Sequence, residues 1–414
     1  MTPSSIAEVT IDRIAAGGDG IARADDLVVF IPRTAPGDRA RVQLETKKRF
    51  ARGTVQELLT PSSLRVDPLC YHYRVDKCGG CQLQHMNYSA QLEAKQNIIR
   101  DSLTRIGKRA VELPVIVESK AQWRYRRKLT LAMRQDRDGD WVIGLHPYDD
   151  PAAVFQLADC PITDERVVSI WRQIMEARPL FPPAKELRAS VRLIDDGAAI
   201  VMEGGDTWPK REQFFEAVSQ ATALWWKPDH RARTLVAERG RAWASASFEQ
   251  VNAEMGAALH AYVLDLTKRY RPATVVDAYA GSGATAIPLA NGGVNVIAIE
   301  SDKDAAARCA AELPVGSRSI AARVEDALES ALPADVVLIN PPRFGMDERA
   351  AAMLERATPS PRALIYVSCD PATLARDLGR MPRYKIVSLK AFDMFPQTAH
   401  VETVCELVPV EEQA

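Results

Sequence analysis

Val275-Val-Asp-Ala-Tyr-Ala-Gly-Ser-Gly-Ala284 decides the fold. A stretch of strand composition runs into a loop holding Gly281 and Gly283, and residues 285–290 then read as a helix. A strand, a glycine loop and a helix in that order make a nucleotide-cofactor site, because glycines let the ligand approach the backbone. The spacing also fits a dinucleotide fingerprint, and an unoccupied glycine turn is the bland alternative. Two acids tilt the balance towards S-adenosylmethionine. Asp277, ahead of the glycines, would meet a cationic amino-acid end and would repel a pyrophosphate. Glu300 ends the next strand, placed to accept bonds from ribose hydroxyls, and Asp326 is a candidate beside the adenine.

Outward from this loop, residues 274–277, 294–300, 335–340 and 363–367 have strand composition, with helical stretches between them, notably 302–313 and 348–357. This alternation predicts a Rossmann-like, doubly wound and largely parallel α/β sheet over a C-terminal catalytic domain, residues 241–414. At the other end, residues 1–57 read as four or five short strands, a small barrel of the oligonucleotide-binding (OB) type. The intervening residues 58–240 are expected to form a central α/β domain, with a helix from Tyr88 to Ile106 ended by Gly107.

Net charge is −1, so evidence for a polyanionic partner has to be local. Lys47-Lys-Arg-Phe-Ala-Arg52 and Trp123-Arg-Tyr-Arg-Arg-Lys128 mix bases with aromatics and suit RNA contact; a solvated charged face is the alternative for each. No apolar run approaches the roughly 20 residues that span a bilayer, and no leader pattern opens the chain. We therefore expect a cytoplasmic monomer with no membrane contact.

Further motifs carry chemistry. Tyr366-Val-Ser-Cys369-Asp-Pro371 ends a strand and starts a helix, with Asp370 as N-cap and Pro371 as first helical residue. The helix dipole there favours a thiolate and predicts a thiol pKa lowered towards about 7 or below. A small buried residue is the alternative, and the better account of Cys309 and Cys405. Asn340-Pro-Pro-Arg343 makes a rigid loop at a strand end, either holding a planar ring or serving only as a stiff turn. Glu402, in His400-Val-Glu-Thr-Val404, is a candidate buried base or an ordinary strand carboxylate. Cys70, Cys78, Cys81 and Cys160, four of seven cysteines, suit an iron–sulfur site, with structural zinc as the main rival.

On these motifs the chain resembles the RNA uracil-C5 methyltransferases, specifically the iron–sulfur, TRAM-containing branch acting on 23S ribosomal RNA. The resemblance covers nearly the whole chain. It implies that the N-terminal barrel is a TRAM domain and that Phe248-Glu-Gln250-Val-Asn252 supplies Gln250 to S-adenosylmethionine, with Tyr279 and Glu300 as further contacts. It implies Cys369 as nucleophile, Glu402 as general base and a 4Fe-4S cluster on the four cysteines. Three positions depart from the family pattern: Asn340 replaces an Asp, Ala284 stands where Asn is frequent, and the Cys70–Cys78 gap is two residues longer. Rival expectations are a transfer-RNA uracil-C5 methyltransferase, a purine N-methyltransferase that would leave Cys369 and Glu402 idle, and a non-enzymatic RNA-binding factor.

Overall fold

The structure, a computed structural model, describes residues 5–194, 197–240 and 250–410. Phe248, named above, lies outside these residues. Three sheets organise the described residues.

The first sheet has six strands between Ser5 and Thr60, one or two more than expected, and closes over Val9, Val29, Ile31, Val42 and Leu44. Its last strand, Ala51–Thr60, carries the barrel slightly past residue 57. The basic loop at residues 47–50 is exposed between two strands, with Phe50 edge-on to Phe30.

The second sheet has seven mostly antiparallel strands between Lys128 and Glu238. One face is apolar by strict alternation: Leu129, Leu131 and Met133 on one strand, Leu187, Ala189, Val191 and Leu193 on its neighbour. The helix Glu165–Glu176 covers that face with Val167, Val168, Ile170, Trp171 and Ile174.

The third sheet has eight strands. Thr274–Ala278, Asn295–Glu300, Arg318–Ala321, Val336–Ile339 and Ala363–Ser368 are parallel. Tyr384–Phe392 and Glu402–Pro409 add an antiparallel pair beside Ala363–Ser368. The expected alternation is present, with helices at Lys303–Glu312, Glu348–Arg356 and Pro371–Gly379.

The expected continuous central unit, residues 58–240, is divided. The strand Val115–Val117 is the outermost member of the catalytic sheet, paired with Tyr384–Phe392. The helix Tyr88–Arg105 puts Ile99 and Leu103 into the catalytic core, and Arg109 donates to the carbonyls of Leu378, Met381 and Tyr384. Burial drives this docking: an amphipathic helix with its apolar stripe uncovered would lose about 2 kcal/mol per large side chain. Among the described residues no helix is long and apolar enough to cross a membrane.

Candidate active site

Parallel strands in register bring their carboxyl ends to one edge, where open α/β sheets bind ligands. Ala278 pairs with both Ile299 and Ile339, so Tyr279, Glu300 and Asn340 leave the sheet side by side. Ile339 pairs with Tyr366, which brings Cys369 to the same edge. Ser368 pairs with Thr403 across an antiparallel ladder. One step further along, Cys369 therefore stands opposite Glu402. The sheet, not the sequence interval, makes this pair.

The glycine loop has the local reasons its sequence implied. A Cβ on Gly283 would lie 2.7 Å from Ile287 Cδ1 and 2.8 Å from Cys309 Sγ, and its φ is +95°, so only glycine fits. Tyr279 has φ +66°, a left-handed conformation at the strand's exit. Asp277 is buried, and its carboxylate accepts from the Thr285 hydroxyl and the Ala286 amide. Burial first pushes it up to about 7, against those two bonds. Glu300 accepts from the Gly281 amide at 2.9 Å and the Asp302 amide at 2.7 Å, fixing the loop. Asn340 is exposed at the strand end, whereas Asp326 is exposed and paired with Arg349 at 3.2 Å. Gln250 packs under Gly256, where an added Cβ would sit 2.9 Å from Gln250 Cβ. Asn252 caps the next helix by accepting from Met255 N at 3.3 Å.

Cys369 is half-buried just ahead of the helix Pro371–Gly379, whose Asp370 cap accepts from Thr373 N at 2.8 Å as expected. Its thiol is not lowered as the helix position suggested. Burial pushes it up to about 11, and the Glu402 carboxylate adds repulsion. Glu402 is buried, and desolvation raises it to about 7. Arg343 opposes both shifts, and it also faces His400. In the sequence Arg343 stands only as the last residue of a stiff loop, with no role of its own. Its distance along the chain hid a cation that faces Cys369 and Glu402 together.

The segment leading to Glu402 is tightly held. Lys95 and Asp393 form a fully buried ion pair, and Tyr88 donates to Asp393 at 2.8 Å. Gln397 O accepts from Gln82 N at 3.2 Å and Leu83 N at 3.0 Å, while Gln397 N donates to Gln91 Oε1 at 3.0 Å. Tyr125 donates to Pro396 O at 2.9 Å.

Cys70, Cys78, Cys81 and Cys160 line one cavity of about 120 Å³, walled by Tyr73, Leu129, Leu145, Leu157 and Ile162. The four thiols thus share one largely apolar space. Gly80 N donates to Cys78 Sγ at 3.4 Å. Among the described residues, no group of three or more His, Cys, Asp or Glu side chains is placed to hold a metal ion. Cys309 and Cys405 are fully buried core residues.

The basic segment 124–128 is divided between structural and open positions. Arg124 forms a bidentate pair with Asp159 at 2.8 and 3.0 Å and donates to the carbonyls of Cys160 and Thr163, so it braces the Cys160 loop. Tyr125 is buried. Only Lys128 of that segment lies on the open face of the seven-stranded sheet. There the register sets it beside Arg192, and Arg188 lies two pairs further on the same face. Burial and then the neighbouring Arg192, Arg126 and Arg188 hold the Lys128 ammonium below its ordinary range. Arg127 N, next in the chain, bonds to Val251 O at 2.8 Å, so this charged end of the sheet adjoins Gln250 and Asn252.

A doubly wound sheet with a glycine loop, a half-buried cysteine and a buried carboxylate at its carboxyl edge defines an α/β methyltransferase. Comparisons with known proteins agree. Residues 315–408 match the tRNA (uracil-5-)-methyltransferase family, and residues 2–55 match the TRAM domain. An RNA methyltransferase of Thermosynechococcus vestitus is 31% identical over 97% of both chains. The 23S rRNA (uracil(1939)-C(5))-methyltransferase of Thiobacillus denitrificans is 29% identical over 94% of this chain and 96% of its own. In fold, the chain resembles the Pyrococcus abyssi tRNA (uracil-54, C5)-methyltransferase, solved with S-adenosyl-L-homocysteine: TM-score 0.70, 22% identity, 97% of this chain and 99% of that one. This chain belongs to the RNA (uracil-5-)-methyltransferase family.

Proposed function

We propose that the protein methylates C5 of a uracil in large-subunit ribosomal RNA, with Cys369 as nucleophile and Glu402 as base. The observation that carries this is the facing of Cys369 and Glu402 at the sheet edge with Arg343 beside both. A purine N-methyltransferase needs neither the thiol nor the buried carboxylate.

Uracil C5 is a poor nucleophile. The Cys369 thiolate adds to C6, and the electron pair of the C5–C6 bond moves into an enolate that activates C5. Bound S-adenosylmethionine supplies an electrophilic methyl group on its sulfonium. Gln250, Tyr279, Asp277, Gly281, Gly283, Glu300, Asp326 and Asn340 would hold it at the strand ends. Asn340, unlike the Asp it replaces, can donate as well as accept. With the methyl in place, Glu402 takes the C5 proton, the C5–C6 double bond re-forms and Cys369 leaves as thiolate. All these groups come from one chain. The exposed loop at residues 47–50 and the face bearing Lys128 and Arg188 would meet phosphates of the RNA.

Ribosomal RNA is favoured over transfer RNA by the activity of the Thiobacillus relative, which matches over nearly the full length. Incubation with isotopically methyl-labelled S-adenosylmethionine and unmodified transcripts tests the assignment. Nucleoside analysis should find label as 5-methyluridine in 23S rRNA; label in transfer RNA would move the substrate, and label on a purine nitrogen would overturn the mechanism.

We further propose that Cys70, Cys78, Cys81 and Cys160 hold an iron–sulfur cluster, 4Fe-4S by resemblance, on the strength of their shared cavity. Anaerobically purified protein should be brown, with iron and inorganic sulfide in stoichiometric amounts. Colourless protein carrying one zinc per chain would replace this assignment.

A further inference from the structure

Phe344 is 75% exposed, more than any other aromatic side chain among the described residues. Water is a poor surrounding for a benzyl group, and an exposed aromatic on a floppy loop would fold back against apolar surface. This loop cannot yield in that way, because its backbone is fastened on both sides of the ring.

Gly345 N donates to Pro342 O at 2.7 Å, and Arg376 donates to Phe344 O at 2.7 Å. Thr373 Oγ1 donates to Arg343 O at 3.2 Å, and Met346 N donates to buried Asp377 at 2.8 Å. Pro341 and Pro342 stiffen the approach. Gly345 has φ +84°, and a Cβ there would come within 2.5 Å of the Thr373, Arg376 and Asp377 side chains. The turn therefore requires glycine and presses the loop against the helix that begins after Cys369. The next residue back, Arg343, faces Cys369 and Glu402. The result is a rigid aromatic held out into solvent at the mouth of the active site.

We propose that Phe344 is a stacking platform for a nucleobase of the RNA strand flanking the target uridine, a proposal that rests on the RNA-directed function above. A uracil that reaches Cys369 has left its stack and exposed the face of its neighbour. An aromatic ring fixed beside the entry replaces the missing stacking partner, while Arg343 one residue away supplies positive charge for the adjoining phosphate. Base–aromatic stacking tolerates any sequence, so the platform holds the strand without selecting it.

The test compares Phe344→Ala, Phe344→Leu and Phe344→Trp in the full chain. One readout is kcat/KM on unmodified 23S rRNA transcript. The other is affinity for a single-stranded oligouridylate carrying 2-aminopurine, whose fluorescence falls on stacking, and for the same strand with abasic sites. Phe344→Ala and Phe344→Leu should each lose roughly tenfold or more in kcat/KM and in affinity for the base-bearing strand, with S-adenosylmethionine affinity and melting temperature unchanged. Phe344→Trp should restore both, and the difference between variants should vanish on the abasic strand. Wild-type affinity in Phe344→Ala, or rescue by Phe344→Leu, overturns stacking; the latter points to an apolar partner instead. If wild type binds the oligonucleotide but methylates no RNA, the substrate assignment fails, and the affinity series still decides the role of Phe344.

Discussion

Burial holds the Cys369 thiol near 11, and Arg343 is the cation that opposes this shift. The rate of adduct formation should therefore climb with pH well above neutrality. Arg343→Gln should lower it by about tenfold at neutral pH for each pKa unit the thiol gains, whereas Arg343→Lys should keep most of it. Rapid-quench measurement of the protein–RNA adduct against pH checks this. Glu402 yields a second prediction, with a definite sign. Its folded-state pKa, about 7, stands above the ordinary 4.5, so its contribution to stability is full below about 4.5 and lost as pH rises through 7. Glu402→Gln removes the penalty of burying the charge. The variant should be more stable than wild type above pH 7, by up to roughly 3 kcal/mol, and no more stable near pH 4. Denaturant unfolding at the two pH values reads it directly. A base that costs stability and is retained for chemistry behaves in this way; a structural carboxylate does not.

Among the elements, the seven-stranded sheet carries a prediction that its linear sequence concealed. Lys128 and Arg188 come together on the open face only through strand pairing. Lys128→Gln with Arg188→Gln should weaken RNA binding and flatten its salt dependence by roughly 0.7–0.9 for each phosphate left without its cation, with the fold intact. Arg124→Gln should instead destabilise the protein, because it abandons Asp159 and the carbonyls of the Cys160 loop. Salt titrations of binding beside thermal melts separate the two outcomes. The contrast shows which features a sequence displays. The glycine loop, the Asp370 cap and the alternating strands are local, set by neighbours in the chain, and residues 275–284 and 366–371 disclosed them. The seats of Val115–Val117 and of the helix Tyr88–Arg105 depend on which sheet buries them, and no nearby residue encodes that choice. The thiol shift at Cys369 escapes the sequence for the same reason. A helix N-terminus can be read from Asp-Pro, but desolvation and the Glu402 charge arrive from a strand later in the chain.

At the scale of the molecule, one short segment ties three regions to the strand that carries Glu402. The amides following Cys81, the helix Tyr88–Arg105 through Gln91 and Lys95, and Tyr125 all fasten residues 393–397, a few positions ahead of Glu402. Hydrogen bonds thus join the region of the cysteine cavity to the segment that leads to Glu402. That arrangement holds in place the segment that leads into the strand carrying Glu402. The proposed chemistry requires Cys369 to act before methyl transfer and Glu402 after it. Denaturing electrophoresis of the enzyme with labelled 23S rRNA transcript and S-adenosylmethionine measures that order. Cys369→Ala should form neither adduct nor product. Glu402→Gln should transfer the methyl and then stall, accumulating a covalent protein–RNA band that the Cys369→Ala/Glu402→Gln double variant lacks. Turnover of Glu402→Gln at the wild-type rate, or the absence of any Cys369-dependent band, would contradict this mechanism.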